Sequence, residues 1–202
     1  MRPRTLALAG TSIALTLLLA ACGSTTANST EGATPANAPA AVQGVGEASD
    51  ADIAFAQMMI PHHQQAVEMA DLALARETSP EVKELAEQIK GAQDPEIQMM
   101  SGWLTQWGAP MEMGEDHGSH DMGGMTMEGM MTDEDMQALG SATGATFDTM
   151  WLEMMIAHHE GAISMADQVK AESSNPDVTA LADAVISGQT TEIDTMQQLL
   201  GR

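Results

Sequence analysis

The sequence has one cysteine, Cys22, in 202 residues, no tyrosine, and only two phenylalanines and three tryptophans. A single cysteine excludes an intrachain disulfide and a thiolate metal cluster. Lysine and arginine total 7 against 29 acidic residues, which gives a formal net charge of −22. Because nucleic acids and anionic membrane surfaces are recognised by basic patches, this balance argues against both as partners and favours cations.

The N-terminal segment is typical of a secreted protein. A basic start is followed by a short apolar stretch, residues 6–19, which is too short to span a membrane and predicts a signal peptide over residues 1–21. The end of this segment, Ala20-Ala21-Cys22, resembles a bacterial lipoprotein site in which Cys22 receives the lipid. We therefore expect an extracytoplasmic protein that is anchored to the membrane through its N-terminal lipid only.

The chain after Cys22 contains two regions of different composition. Residues 22–48 are rich in Ser, Thr, Ala, Gly and Pro and have few bulky apolar side chains, so we expect a flexible tether. Residues 49–202 are long enough to form one domain with a hydrophobic core.

Methionine, by contrast, is abundant at 19 residues, and much of it lies close to histidine. The string Met-Met-Ile-x-His-His occurs at residues 58–63 and again, 96 positions later, at residues 154–159. Adjacent methionines and histidines offer thioether sulfur and imidazole nitrogen within one small volume. Since thioether is a soft ligand that selects Cu(I), this mixture suits copper, with Cu(II) also accessible to the histidines.

The two strings belong to a longer internal duplication. At the constant offset of 96, the sequences of two segments align without a gap. The matched positions include Phe55 with Trp151, Ala66 with Ala162, Met69 with Met165, Pro80 with Pro176, Gln93 with Gln189, Glu96 with Glu192 and Met100 with Met196. We therefore expect repeat 1 over about residues 49–107 and repeat 2 over about residues 145–202.

Each repeat is predicted to form a hairpin of two helices. The first helix should end near Glu77, and Ser79-Pro80-Glu81 then supplies an N-cap, a proline at the first helical position and an acid in the first turn. Asn175-Pro176-Asp177 repeats this start signal in the second repeat. Two antiparallel hairpins joined by a long connection predict an all-α, ferritin-like four-helix bundle.

The paired histidines are predicted to face the interior of this bundle. His62 and His63 lie on the apolar side of the first helix, whereas Gln57 lies on the polar side. Each histidine has a methionine four residues before it, which places sulfur and nitrogen on one face. Inward histidines are costly to bury without partners, so we expect metal ligands here. The candidate ligands are Met58, Met59, His62, His63, Met69, Met154, Met155, His158, His159 and Met165.

The crossover between the repeats, residues 108–131, is the second methionine-rich feature. It is long for a loop in a compact domain, and such loops are usually functional or disordered. A plain linker would not need thioether and imidazole groups, so we expect the crossover to capture copper. Thr132-Asp133-Glu134-Asp135 predicts the N-cap of a further short helix. The candidate ligands in the crossover are Met111, Met113, His117, His120, Met122, Met125, Met127, Met130 and Met131.

The duplicated string, together with the Ala162 and Met165 that follow its second copy, resembles the bacterial domain-of-unknown-function family 305. The likeness is especially close over residues 147–166 and extends over about residues 49–202. The resemblance implies a ferritin-like four-helix bundle, and some family members are extracytoplasmic copper-binding proteins linked to copper resistance. The family's methionine and histidine positions carry over to the candidate ligands in the two repeats.

These features predict a copper-binding protein and not an enzyme. It would sequester, buffer or relay Cu(I), and also Cu(II), outside the membrane, and a relay would require a copper transporter or oxidase as partner. Three alternatives stay open. A non-metal interaction module would pack its methionine-rich faces against a partner. A di-iron oxidase would need a Glu-x-x-His pair on each of two helices, which these histidines lack, and haem would have no covalent attachment motif because Cys22 stands alone.

Overall fold

The computed structural model describes residues 47–112 and 128–201, and within these ranges the chain forms helices and no strand. The helices are α1 (Asp50–Leu74), α2 (Pro80–Trp107), α3 (Asp133–Ser141), α4 (Gly144–Glu172) and α5 (Pro176–Leu199). The predicted signal peptide, Cys22 and nearly all of the tether lie outside the described residues. None of the helices in the described ranges is long and apolar enough to cross a membrane.

Local capping chemistry explains where α1, α2, α3 and α5 start. Ser79 and Asn175 each accept hydrogen bonds from backbone N–H groups in the first turn of α2 and α5, directly before the two prolines. Ser49 and Thr132 each form a capping box with the aspartate three residues later. α1 ends at Leu74, earlier than predicted, because the chain has to turn back before the cap of α2.

The helices pack as two antiparallel hairpins, α1 with α2 and α4 with α5, which meet mainly through α1 and α4. The central pair is also antiparallel. His62 in α1 contacts His158 in α4, and further along α1 the carbonyl of Met69 accepts a hydrogen bond from Trp151, which lies earlier in α4. The predicted all-α bundle is thus confirmed, and its two hairpins are joined by the long crossover.

Two apolar clusters fill this bundle, one on each side of the histidines. One cluster contains Phe55 and Met58 of α1 with Met165 of α4, and the other contains Met69 of α1 with Trp151 of α4. Equivalent residues of the two repeats therefore occupy opposite clusters. This exchange means that an approximate two-fold axis relates the hairpins and passes near the contact between α1 and α4.

Candidate metal centre

The four bundle histidines form a polar layer between the two apolar clusters. His62 and His63 project from α1, and His158 and His159 project from α4; each is 0% exposed to solvent. Helical periodicity placed these residues on the apolar sides of their helices, and packing against the partner helices completes their burial. Gln57 is also buried, although the sequence placed it on the polar side, because its amide donates a hydrogen bond to the carbonyl of Pro110 at 2.8 Å.

His62 and His158 occupy equivalent positions in the two repeats and contact each other directly. Their ring centroids are 3.8 Å apart, and the ring planes are inclined by 43°. Nε2 of His62 lies 3.1 Å from the backbone carbonyl oxygen of Glu128, to which it donates a hydrogen bond. Nδ1 of His62 and both ring nitrogens of His158 have no hydrogen-bond partner among the described residues. The pair therefore presents three buried nitrogen atoms without partners.

His63 and His159 form a second equivalent set, in which each ring pairs with a carboxylate from the neighbouring helix. Nε2 of His63 lies 2.7 Å from Glu96 of α2, and Nε2 of His159 lies 2.7 Å from Glu192 of α5. A carboxylate only accepts hydrogen bonds, so Nε2 carries the proton in both pairs. In the neutral ring the lone pair is then on Nδ1, which is buried and unpartnered in both histidines among the described residues.

Burial keeps the His62–His158 pair neutral. It lowers the pKa of His62 from 6.5 to about 4, against the opposing effect of the hydrogen bond to Glu128, and the nearby His63 and His159 lower it further. Burial also places the pKa of His158 well below its usual value; the other three histidines act in the same direction, and the nearby backbone of His62 opposes them. Neutral imidazoles can bind a metal ion without first losing a proton.

The methionines predicted as bundle ligands lie above and below the histidine layer. All of them are buried except Met154, which is half-buried. Each apolar cluster also contains a buried methionine from an outer helix, namely Met100 of α2 and Met196 of α5. These two residues were not among the predicted ligands, although the repeat alignment matches them to each other.

The crossover residues are distributed differently. Met111, four residues beyond the end of α2, is 47% exposed, whereas Met130 and Met131 are half-buried where the chain returns to the bundle. The side chain of Gln65 holds this return segment, because it donates to the carbonyl of Met131 at 2.9 Å and accepts from its N–H at 2.7 Å. The other predicted crossover ligands lie outside the described residues: Met113, His117, His120, Met122, Met125 and Met127.

The family profile described as "Domain of unknown function (DUF305)" matches residues 52–200. The chain belongs to the DUF305 family. Among solved structures, the Cu(II)-bound form of CopM is 36% identical, with a TM-score of 0.60, and the match covers 73% of this chain and 94% of CopM. CopM is also represented by Cu(I)-bound and Ag-bound forms.

Two further solved structures are DUF305 proteins. The protein from Streptomyces coelicolor is 36% identical with a TM-score of 0.68, over 75% of this chain and 92% of its own. The fragment from Deinococcus radiodurans is 30% identical with a TM-score of 0.66, over 77% of this chain and 99% of its own. No curated protein matches the sequence. The family resemblance predicted from the duplicated string is therefore confirmed.

In this DUF305 chain, the two glutamates that contact histidine come from other helices than the histidines. Glu96 and Glu192 were not predicted as part of the site, because the di-iron pattern requires glutamate three residues before histidine on the same helix. Their signal was nevertheless present, since the repeat alignment matches Glu96 with Glu192 just as it matches His63 with His159. A polar pair repeated at the same offset on two helices indicates a contact between those helices.

The donor types in this layer restrict which metal sites can form. Within residues 47–112 and 128–201, no group of three or more His, Cys, Asp or Glu side chains is arranged to hold a metal ion. Within the described residues, methionine sulfur is therefore the donor available to add to fewer than three histidine or carboxylate ligands. Sulfur together with imidazole nitrogen is a donor set for copper, whereas a carboxylate-rich set would be needed for iron.

Proposed function

We propose that this DUF305 chain is an extracytoplasmic copper-binding protein that sequesters, buffers or relays copper and is anchored to the membrane through a lipid on Cys22. In this proposal copper is the cargo, and the protein is not an enzyme. The crossover captures copper at low specificity, and the bundle histidines and methionines hold it in a drier, more selective place. In a relay, the partner is a copper transporter or oxidase.

The histidine layer is the observation that carries the proposal. Each of the four buried rings retains at least one nitrogen atom without a hydrogen-bond partner among the described residues. Buried polar atoms without partners are uncommon in folded proteins, because desolvation is not offset by a new hydrogen bond. A metal ion that accepts these lone pairs would remove this cost, which makes the layer better suited to binding than to packing alone.

The methionines and the relatives support copper in particular. Thioether sulfur favours Cu(I), and the buried methionines lie on both sides of the histidine layer. CopM, which is 36% identical in its Cu(II)-bound form, is also described in Cu(I)-bound and Ag-bound forms. We propose that Cu(I) is the preferred state here and that the histidines also bind Cu(II).

The test is a copper titration of the soluble chain that begins after Cys22, in competition with a chromophoric Cu(I) chelator. The bundle variant H62L/H158L removes the two contacting imidazoles. It puts leucine side chains in their place, which the apolar core can accept. The crossover variant replaces Met113, His117, His120, Met122, Met125 and Met127 by serine. It leaves residues 128–131 in place, because these residues contact the bundle.

We expect two classes of site, of which the bundle variant loses one and the crossover variant loses the other. Circular dichroism before each titration checks that the helices are retained. If the wild-type chain binds no copper, the proposal fails and the non-metal interaction module is favoured. Iron binding with oxidase activity, or a Soret band after incubation with haem, would instead favour one of the other bundle functions.

A further inference from the structure

The Glu96 and Glu192 carboxylates lie at the edge of the histidine layer and are not among the proposed copper ligands. Their side chains are 19% and 17% exposed, and each contacts a histidine that is fully buried. The same contact, at the same 2.7 Å, occurs in both repeats. A contact that recurs across an approximate two-fold axis is a built feature of the fold and not a chance surface pairing.

We propose that Glu96 and Glu192 are positioning residues that make Nδ1 the metal-binding atom of His63 and His159. This inference rests on the copper-binding function proposed above. Because each carboxylate holds the Nε2 proton, the ring cannot rotate freely, and the neutral form has its lone pair on the buried Nδ1. A carboxylate partner also raises the basicity of a histidine ligand, and loss of such a partner commonly costs 10- to 100-fold in metal affinity.

The experiment has one readout without metal and one with it. Nitrogen-15 NMR of histidine-labelled, metal-free protein reports which ring nitrogen carries the proton. Competition titrations then measure copper affinity. The test variant is E96L/E192L, since leucine cannot accept a hydrogen bond and still favours a helix. The matched control is E87L/D194L, which removes two exposed carboxylates from the same two helices.

In the wild-type protein we expect the Nε2–H form for His63 and His159. In E96L/E192L we expect a mixed population of tautomers and a 10- to 100-fold weaker affinity of the bundle sites, with no change in the control. The Nδ1–H form in the wild type would overturn the inference, as would unchanged tautomers and affinity in E96L/E192L. A wild-type chain that binds no copper would refute the proposed function separately, while the NMR readout still tests the positioning role.

The return segment, residues 128–131, makes a separate set of contacts with α1 and α4. The carbonyl of Glu128 accepts from His62, and Met131 exchanges two backbone hydrogen bonds with the side chain of Gln65. Gly161 of α4 lies so close to this segment that an added Cβ would overlap the Glu128 carbonyl group. Gln65 and Gly161 are equivalent positions in the two repeats, so the return segment is where the two-fold symmetry is broken.

We infer that this return segment covers the His62–His158 pair and that it has to lift before copper exchanges with that pair. Gln65 holds it on the α1 side, and Gly161 provides the space for it on the α4 side. Gly129 has a φ of +80°, and a Cβ there would collide with the backbone of Ala157. Close backbone approach to α4 and side-chain hydrogen bonds to α1 thus hold the segment against both central helices.

The experiment measures how fast bound copper is released to a chelator in stopped flow, together with hydrogen exchange of the Met131 amide in the metal-free chain. The variant Q65A removes two hydrogen bonds, and the exposed neighbour provides its control, Q64A. The variant G161A pushes the segment outward. Its control, G91A, is another helical glycine-to-alanine change, at a site where a Cβ meets nothing within 4 Å.

We expect Q65A and G161A to release bundle copper roughly tenfold faster than their controls, because the lost hydrogen bonds and the overlap both favour the lifted state. The Met131 amide should also exchange faster in Q65A than in Q64A. Equal release rates in variants and controls would overturn the inference. If only crossover copper is observed, the bundle site itself fails, and the amide exchange still decides whether Gln65 holds the segment.

Discussion

His62 and His158 are 96 positions apart in the sequence, and their ring centroids are 3.8 Å apart in the structure. They are the same position in two copies of one repeat, and they meet where the central helices α1 and α4 cross. The duplication therefore brings two identical donors to one point. A single copy of the hairpin would provide only half of this contact, which explains why the second copy matters for a metal site.

Acid is expected to destabilise the metal-free protein as the pH falls from about 6.5 to about 4. The pKa of His62 is lowered to about 4 and that of His158 well below its usual value, mainly by burial. In this window the unfolded chain binds protons that the folded chain does not bind. The stability present above pH 6.5 is thus lost as the pH falls, by about 3 kcal/mol for His62.

Urea unfolding at a series of pH values measures this loss. The variant H62L/H158L should show a flatter dependence over the same window. An equally steep dependence in that variant would show that the two contacting imidazoles are not the source of the acid sensitivity.

Replacement of buried methionines should separate the two oxidation states of copper. In M59L/M155L, two thioethers next to the histidine layer are lost and the side-chain volume is nearly kept, so the stability should change by less than about 1.5 kcal/mol. Cu(I) affinity should fall, because the soft ligand is gone, and Cu(II) affinity should change little. Parallel titrations with Cu(I) and Cu(II) test this, with the exposed Met99 as control in M99L. Equal losses for both ions would show that these methionines do not discriminate.

The indole of Trp151 should contribute to the contact between the two repeats. Its Nε1 donates a hydrogen bond to the carbonyl of Met69 at 2.8 Å in a buried site. We expect W151F to lower the free energy of unfolding by about 1–3 kcal/mol, from the lost hydrogen bond and the smaller ring. The matched control is W103F. Trp103 lies on the outer helix α2, and its ring is also buried among apolar side chains. A larger loss in W103F than in W151F, measured by urea unfolding, would contradict this role.

Arg76 should hold the short helix α3 against the bundle. Its Nη1 donates to the carbonyls of Leu139, Gly140 and Ala142, and its guanidinium lies 4.6 Å from the ring centroid of Phe147. Removing this group in R76M leaves those carbonyls without their charged donor, so amide exchange in α3 should rise by roughly an order of magnitude. The variant K83M, which removes another cation near the start of α2, provides the comparison. Unchanged exchange in α3 would show that apolar packing alone holds it.

Much of the fold could be predicted from the sequence because its signals are local. The caps at Ser79 and Asn175 determine where α2 and α5 begin, and each is followed directly by proline. The helical period placed His62 and His63 on the apolar side of α1. Burial could be predicted this way because the apolar side of a helix faces the core, whichever helices pack against it.

The contacts of the site could not be predicted in the same way. Nothing within α1 indicates that His63 pairs with Glu96 while His62 faces its own repeat copy, since both histidines lie on the same apolar side. The same is true of Gln65, whose partner Met131 lies in the return segment. These contacts depend on the rotation and register of one helix against another.

The sequence by itself determined a duplicated helical hairpin, its caps and a set of inward sulfur and imidazole donors, because each of these follows from residues a few positions apart. Only the tertiary structure decided which ring nitrogens remain without a partner and which backbone segment covers them. The physical reason is that side chains far apart in the sequence set the register of each helix against its neighbours, and a shift of one turn between α1 and α4 would separate His62 from His158.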